Sequence, residues 1–300
     1  LAQYEWQDVD AVGREEIARA IAKRRGEDVD RLFVEGQRKY EAREYAGALE
    51  RFRKVLDIDP ENLFAKEYVD LVREAMRRAL DLAWRGWGRV APNPLVGAAV
   101  LQGDEVVAEG FHGEFGGPHA EVHALRGAGA RARGATLVVT LEPCAHQGKT
   151  PPCTDAIRAA GIRRVVAAVR DPDADARGGI EVLRGAGIET SVGLLAEEAA
   201  AVNAAFLATR LQTERPFVAL KLATSIDGRI ADARGRSQWL SGSEARDYVH
   251  WLRAGFHAIG VGGTTALTDN PQLTVRGAIT PRQPPVRIVF DRRAMLNSGV

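Results

Sequence analysis

The chain has few cysteines, no long apolar run and almost no net charge. Only two cysteines occur among its 300 residues, which excludes a framework of several disulfides. No apolar run approaches the roughly 20 residues of a membrane-spanning helix, and the first residues, Leu1–Trp6, do not resemble a secretory signal. The formal net charge of +1 gives no strong attraction to nucleic acid or anionic membranes. We therefore expect a cytoplasmic protein with neither a nucleic-acid nor a membrane partner.

A histidine, a glutamate and both cysteines lie close together in the middle of the sequence. They read His119-Ala120-Glu121, followed by Pro143-Cys144 and then by Cys153. One imidazole and two thiolates can hold a zinc ion with a fourth position open, as catalytic zinc sites do. The order H-x-E, then P-C, then a second cysteine is typical of zinc-dependent deaminases. We therefore expect the histidine and both cysteines to be zinc ligands.

Glu121 is the candidate proton shuttle. Zinc with such ligands lowers the pKa of its bound water, and hydrolytic deamination then needs a group that carries protons to the leaving amine. Glu121 lies two residues after His119, on the expected first turn of a helix, beside the metal but not bound to it. Pro118 and Pro152 mark two helix starts. The partial positive charge of these two N-termini would favour thiolate and hydroxide.

Other interpretations of the same residues remain. The two cysteines could form a disulfide, but a cytosolic pair is more typical of metal binding or catalysis. His123 lies four residues after His119, and we interpret it as a packing residue or one that supports a ligand. A structural zinc in a non-catalytic, repeat-bearing scaffold would need a fourth protein ligand, and the sequence offers no suitable one.

The chain divides into three predicted regions. Residues 1–75 are highly charged and free of strand signals, whereas residues 76–213 alternate strands with helices. This alternation predicts a three-layer α/β sandwich with the ligands at strand ends and helix starts. Residues 214–300 are predicted to contain an apolar strand at Phe217–Thr224 and a helix at Ser243–Ala254 with Ser243 as N-cap.

The N-terminal region carries one pattern of the tetratricopeptide type. The positions that fit are Gly36, Tyr40, Tyr45, Ala48, Phe52, Leu56 and Pro60. They predict one antiparallel helix pair, followed by separate helices over 62–74 and Met76–Arg85. One repeat buries little of its own surface, so it either packs on the next domain or belongs to a longer array. The region could dock a protein partner, or it could be a simple helical appendage. We expect deamination to survive deletion of residues 1–75.

From Met76 onward the chain resembles the bifunctional deaminase–reductase of riboflavin biosynthesis, the RibD family. The stretches that carry the resemblance are Ala91–Gly97, Gly110–His112, Pro118–Leu125, Leu141–Cys153, Asp171-Pro172, Arg215–Lys221, Ser225–Gly228, Ser237–Trp239 and Asp269–Pro271. Eight residues separate Cys144 from Cys153, whereas cytidine and tRNA-adenosine deaminases usually have two there. A zinc nucleoside or tRNA-base deaminase is therefore kept only as the alternative.

The resemblance implies a cytidine-deaminase-like α/β/α sandwich followed by a partial α/β domain similar to dihydrofolate reductase. The first half would convert 2,5-diamino-6-ribosylamino-4(3H)-pyrimidinone 5′-phosphate to 5-amino-6-(5-phosphoribosylamino)uracil. The second half would use NADPH to reduce the ribosyl chain. The implied cofactors are Zn²⁺ and NADPH, and the implied partner is a small pyrimidine ribosyl phosphate. A homo-oligomer stays open.

The resemblance also implies roles position by position. His119, Cys144 and Cys153 would bind the metal, and Glu121 would be catalytic. The implied contacts to the deaminase substrate are Asn93, His112, His146 and Lys149. An amide side chain can form hydrogen bonds with the edge of a pyrimidine, and Lys149 with His146 can bind a phosphate. In the reductase half, the implied contacts are Ala223, Trp239, Thr265 and Asp269 to NADPH, and Ser237, Arg253, Leu273 and Arg276 to the sugar phosphate.

Two features depart from the family pattern. Asp171-Pro172-Asp173-Ala174 stands where the family usually has Asp-Pro-Asn-Pro, and the carboxylate of Asp173 would repel a phosphate if this loop reaches the site. The chain also lacks an initial Met, as a fragment or processed product would, and ends before the later strands and glycine-rich loop of the family's reductase half. We therefore expect weak NADPH binding and a lost or impaired reduction.

Overall fold

A five-stranded sheet forms the centre of the molecule. The computed structural model describes residues 11–41, 45–60, 62–173, 175–211, 214–277, 279–294 and 296. The strands are β1 (Gly97–Gln102), β2 (Glu105–Phe111), β3 (Thr136–Leu141), β4 (Arg164–Val169) and β5 (Glu189–Val192), in the spatial order β2-β1-β3-β4-β5. β1 pairs antiparallel with β2 and β3, whereas β3, β4 and β5 run parallel. All six residues of β3 are buried, as expected for a strand covered on both faces.

Helices cover both faces of this sheet, which confirms the predicted three-layer sandwich. The helices of this region are α3 (Leu63–Ala83), α4 (Ala120–Ala128), α5 (Cys153–Ala159), α6 (Gly179–Gly185), α7 (Ala196–Val202) and α8 (Ala204–Leu211). Leu137 and Val139 of β3 pack in one cluster with α4, α5 and α6. Val138 packs in the other cluster, with α3 and α7. The period-two alternation of a strand thus divides the core into two layers.

Helix α3 is continuous, so the prediction of two separate helices around residue 75 was wrong. No glycine or proline interrupts residues 63–83. Val72, Met76, Ala79 and Ala83 recur at helical spacing, and all are buried. α3 therefore crosses the predicted boundary at 75/76 and serves as one of the sandwich's own helices. Its backbone passes very close to β1, because a Cβ on Gly97 would overlap the carbonyl oxygen of Ala79.

The predicted N-terminal helix pair is present as α1 (Ala11–Glu41) and α2 (Tyr45–Ile58). Ala48, Phe52 and Val55 are buried between them, and a Cβ on Gly36 would lie 2.6 Å from the Phe52 ring. The pair contacts the sandwich where the backbone N–H of Gly47 donates to Glu189 Oε2 at 3.2 Å. The side chains of Tyr40 and Tyr45 are not among the side chains that the structure describes. The tetratricopeptide assignment stays a prediction.

The C-terminal region contains α9 (Ser243–Ala254), β6 (Ala258–Gly262), α10 (Gly263–Asp269) and β7 (Val286–Phe290), with β6 and β7 parallel. The predicted strand at Phe217–Thr224 is wrong. These residues form no strand and pair with no described strand, and Val218 and Leu220 are exposed. The predicted N-cap was also displaced by one residue, because Gly242 caps α9 and Ser243 is its first helical residue.

Two tryptophans join this region to the sandwich. The Trp87 and Trp251 rings stack with centroids 5.2 Å apart, and Trp87 Nε1 donates to the carbonyl oxygen of Trp251 at 2.8 Å.

Within the described residues, no helix is long and apolar enough to cross a membrane.

The continuity of α3 changes the expected effect of shortening the chain. Removal of residues 1–60 should leave the sandwich folded, whereas removal of residues 1–75 should destabilise it, because Val72 and Ala75 are buried against the sheet. Burial of one valine side chain contributes about 1.5–3 kcal/mol. The longer deletion should therefore lower the free energy of unfolding by at least about 2 kcal/mol relative to the shorter one. Urea unfolding followed by circular dichroism measures the difference, and equal stabilities would contradict the packing argument.

Candidate metal centre

His119, Cys144 and Cys153 converge at one edge of the sheet. His119 is the N-cap of α4, Cys144 follows β3, and Cys153 is the first residue of α5. The ligand atoms of the three side chains all lie within 4.8 Å of one another. His119 Nδ1 is 3.2 Å from Cys153 Sγ and 3.5 Å from Cys144 Sγ. Three convergent donors of this kind fit a single soft or borderline cation such as zinc.

The protonation of the two sulfurs supports this fit. The hydrogen bond from the Cys153 thiol lowers the pKa of the Cys144 thiol to about 4. The same bond, together with burial, raises the pKa of Cys153. The backbone N–H of Cys153 also donates to Cys144 Sγ at 3.4 Å. Without a metal, the pair therefore holds one thiolate and one proton, and a buried thiolate favours a neighbouring cation.

Two further contacts orient the histidine. The hydrogen bond to Cys144 raises the pKa of His119. Its other ring nitrogen, Nε2, lies 3.3 Å from Thr150 Oγ1. A partner on the second nitrogen is the usual way in which a ligating imidazole is held in orientation.

Glu121 lies beside the ligands without belonging to the convergent group. Its side chain is buried in the first turn of α4. Burial raises the pKa of this carboxyl. A carboxyl with a raised pKa can both accept and release a proton closer to neutral pH, as a general acid and base must.

A cavity of about 280 Å³ opens onto these residues. His119, Glu121 and Cys144 contribute to its lining. It is also lined by all four residues for which the sequence predicted substrate contacts, namely Asn93, His112, His146 and Lys149. The structure therefore brings the predicted deaminase residues to one place, although their individual roles stay predictions.

His112 and Asn93 form a fixed pair in the wall of this cavity. His112 is buried, and its Nδ1 donates to the carbonyl oxygen of Pro118 at 3.0 Å. Burial lowers the pKa of His112, so the ring is neutral and its Nε2 accepts from Asn93 Nδ2 at 3.1 Å. This arrangement leaves the amide oxygen of Asn93 as an acceptor.

Phe115 is a cavity residue that the sequence did not reveal. Lys149 Nζ lies 3.8 Å from the centroid of its ring, and the guanidinium of Arg282 lies 4.8 Å from the same centroid. Arg282 also donates from Nε to the carbonyl oxygen of Ala91 at 3.0 Å. The C-terminal region thus contacts a residue of the cavity wall. An aromatic residue in a loop belongs to no local sequence pattern that would predict such a contact.

The loop after β4 also reaches the cavity, which was the condition for a repulsive effect of Asp173. Asp171 and Asp173 both line it, and Arg210 of α8 lies against Asp173 with Nε 3.3 Å from Oδ2. Ala174 lies outside the described residues. The sequence predicted a repulsive carboxylate here but not its partner, because Arg210 is distant in sequence and belongs to no motif.

The residues predicted for the reductase half are less closely assembled. Arg253 donates from Nη1 to the carbonyl oxygen of Thr274 at 3.1 Å, next to Leu273 and near Arg276. Three of the four implied sugar-phosphate contacts thus lie together, and Ser237 is exposed. Of the implied NADPH contacts, Ala223 is half-buried and the other three, Trp239, Thr265 and Asp269, are exposed.

Two family models match the chain. The model of the cytidine and deoxycytidylate deaminase zinc-binding region matches residues 70–169, and the model of the RibD C-terminal domain matches residues 216–299. The first match begins within α3, before the predicted domain boundary at 75/76.

Curated relatives are similar over both regions. The riboflavin biosynthesis protein RibD of Escherichia coli is 49% identical over 228 residues, which are 72% of this chain and 62% of the relative. The RibD protein of Corynebacterium ammoniagenes is 44% identical over 233 residues, which are 76% of this chain and 68% of the relative. The chain spans about 60% of the length of the first relatives it matches.

Solved structures give the same result. A diaminohydroxyphosphoribosylaminopyrimidine deaminase/5-amino-6-(5-phosphoribosylamino)uracil reductase from Thermotoga maritima is 46% identical, with a TM-score of 0.69 over 77% of this chain and 66% of that one. RibD from Acinetobacter baumannii is 43% identical, with a TM-score of 0.67 over 76% of this chain and 65% of that one.

The geometry predicts which side chains hold the metal. The purified protein should contain about one zinc per chain. Cys144→Ala and Cys153→Ala should each lose most of it, because two remaining donors bind weakly. His123→Ala is the matched control, since His123 is exposed and outside the convergent group. Elemental analysis measures the metal content, and unchanged zinc in both cysteine variants would rule out this ligand set.

Proposed function

The chain belongs to the RibD family of riboflavin-biosynthesis proteins, and from this premise we propose that its α/β sandwich is a zinc-dependent deaminase. The substrate is 2,5-diamino-6-ribosylamino-4(3H)-pyrimidinone 5′-phosphate, and the product is 5-amino-6-(5-phosphoribosylamino)uracil. The observation that supports this most is the convergence of three candidate metal donors beside a cavity that a buried carboxyl also lines. The name of the Thermotoga maritima relative, a diaminohydroxyphosphoribosylaminopyrimidine deaminase, supports the same substrate.

In this proposal His119, Cys144 and Cys153 hold the zinc. When bound, zinc makes a water acidic enough to act as a nucleophile near neutral pH. The reaction replaces the C–N bond at ring carbon 2 by a C–O bond and releases ammonia, so one water is consumed. Glu121 takes a proton from the attacking water on its carboxylate and delivers it to the leaving amine. Its burial suits both transfers, because the raised pKa brings its two protonation states closer in free energy.

The polar residues of the cavity orient the substrate. The amide oxygen of Asn93 can accept from a ring N–H of the pyrimidine, since His112 already engages the amide nitrogen. Lys149 and His146 can bind the 5′-phosphate. The contact of Lys149 with the Phe115 ring limits the freedom of its long side chain.

We further propose that residues 214–300 belong to the NADPH-dependent reductase half of the family. The match of residues 216–299 to the RibD C-terminal domain supports this proposal. Ala223, Trp239, Thr265 and Asp269 would hold NADPH, and Ser237, Arg253, Leu273 and Arg276 would hold the sugar phosphate. A cytoplasmic location, a homo-oligomer and a protein partner for α1 and α2 stay hypotheses.

Ammonia release tests the deaminase assignment directly. The zinc-loaded protein should release ammonia from the pyrimidine ribosyl phosphate and not from cytidine. Release from cytidine alone would favour the alternative, a nucleoside deaminase.

Glu121 should be separable from the metal ligands by a conservative change. Glu121→Gln should keep its zinc and lower kcat for ammonia release by roughly 10²–10⁴-fold, the usual contribution of a positioned acid–base group. Glu197→Gln is a control, because Glu197 is exposed on α7. Loss of zinc together with loss of activity in Glu121→Gln would show that Glu121 is a ligand instead.

Lys149 should determine affinity for the phosphate. Lys149→Ala should raise KM for the phosphorylated substrate by about 10-fold or more, because hydrogen bonds to charged groups contribute about 1.5–3 kcal/mol. The KM of the dephosphorylated ribosylamino compound should not change, and Lys221→Ala, an exposed lysine outside the cavity, should behave as the parent. An equal rise in KM for both compounds would remove Lys149 from the phosphate site.

A further inference from the structure

Among the described residues, four carboxyl groups line the proposed deaminase cavity, and three of them are buried. The buried three are Glu121, Glu142 and Asp171, and burial raises the pKa of Asp171. Glu142 accepts three backbone N–H groups, from Asp171, Gly178 and Ile180, at 3.0–3.1 Å. Asp173 differs from these three, because its side chain is 26% exposed. Its carboxylate is therefore in contact with solvent where it lines the cavity.

Each oxygen of Asp173 has a different partner. Oδ1 accepts the backbone N–H of Asp175 at 3.1 Å and so shapes the loop after β4. Oδ2 faces the Arg210 guanidinium, whose Nε is 3.3 Å away. The loop geometry thus needs only one oxygen of this carboxylate, and the negative charge is balanced from a different element, α8.

Arg210 is held at the cavity from two sides. Its guanidinium lies 5.4 Å from the ring centroid of Phe206, one turn earlier on α8, and both residues line the cavity. An aromatic ring and an arginine at i and i+4 are neighbours on a helix surface, and the ring attracts the cation. This contact and the ion pair together keep the positive charge beside Asp173.

We propose that Arg210 is a specificity-determining residue, which neutralises Asp173 and so allows the cavity to admit a substrate that carries a phosphate. The proposal rests on the deaminase function proposed above. Without Arg210, the Asp173 carboxylate would repel a phosphate dianion and would leave a neutral ribosyl compound unaffected. Arg210 acts through Asp173, and no contact with the phosphate itself is required.

A double-mutant cycle tests this mechanism. Arg210→Ala should raise KM for the phosphorylated substrate by about tenfold or more, with kcat little changed, because the unpaired carboxylate opposes the phosphate. Asp173→Asn should bind the substrate at least as well as the parent. The double variant Arg210→Ala/Asp173→Asn should return to within about threefold of the parent, since no charge then remains to be neutralised. Arg184→Ala, an exposed arginine of α6 outside the cavity, is the matched control.

Two further measurements separate charge from structure. KM for the dephosphorylated ribosylamino compound should be the same in all variants. Salt should reduce the difference in KM between Arg210→Ala and the parent, because exposed charges are screened at high ionic strength. Zinc content and circular dichroism spectra should match those of the parent.

The outcomes are distinct. A double variant as impaired as Arg210→Ala would overturn the proposal in favour of direct phosphate binding by Arg210. An equal rise in KM for both compounds would overturn it in favour of a purely structural role. If the parent releases ammonia from neither the phosphorylated nor the dephosphorylated pyrimidine, the deaminase assignment itself fails. The Arg210–Asp173 proposal is then tested by the binding of ribose 5-phosphate, measured by calorimetry. Weaker binding in Arg210→Ala with recovery in the double variant would still support the pair, and equal binding in all variants would overturn it.

Discussion

The buried carboxylate of Glu142 is the constraint on which the site depends. It accepts the backbone N–H groups of Asp171, Gly178 and Ile180, and so ties the loop after β4 and the start of α6 to the end of β3. Cys144 lies two residues further along the same chain. A Cβ on Gly179 would overlap the carbonyl oxygen of the intervening Pro143, so the two segments also touch directly. One side chain thus fixes both a metal donor and the acidic wall of the cavity.

Local patterns were sufficient for most of the sandwich and for the three side chains that converge as candidate metal donors. Strands β3 and β4 are short apolar runs between turn residues, and the His–Cys–Cys order follows from zinc chemistry. The sequence could not reveal Glu142 as an anchor, because its partners are backbone groups remote in the chain. The Asp173–Arg210 pair was missed for the same reason. The strand predicted at Phe217–Thr224 failed because an apolar run alone does not show that a neighbouring strand pairs with it.

Contacts between the sandwich and the C-terminal region reach the cavity itself. Trp87 packs so closely on the end of α9 that a Cβ on Gly255 would overlap its ring. Arg282, which precedes β7, lies on the ring of Phe115, and Lys149 lies on that same ring. Lys149 is the proposed phosphate contact. Through the shared Phe115 ring, its surroundings therefore include Arg282 of the C-terminal region. The electrostatics of this cavity are therefore not set by the sandwich alone.

The metal donors and the fold are linked through the first turn of α5. Cys153 begins this helix, its backbone N–H donates to Cys144 Sγ, and its thiol shares a proton with that sulfur. Binding of zinc requires both sulfurs as thiolates, so it would displace this proton and replace the shared hydrogen bond by two metal bonds. A cation that binds only the folded arrangement also stabilises it by mass action. Because the donors come from three elements, the metal would join α4, the end of β3 and α5 at the one edge of the sheet where the cavity opens.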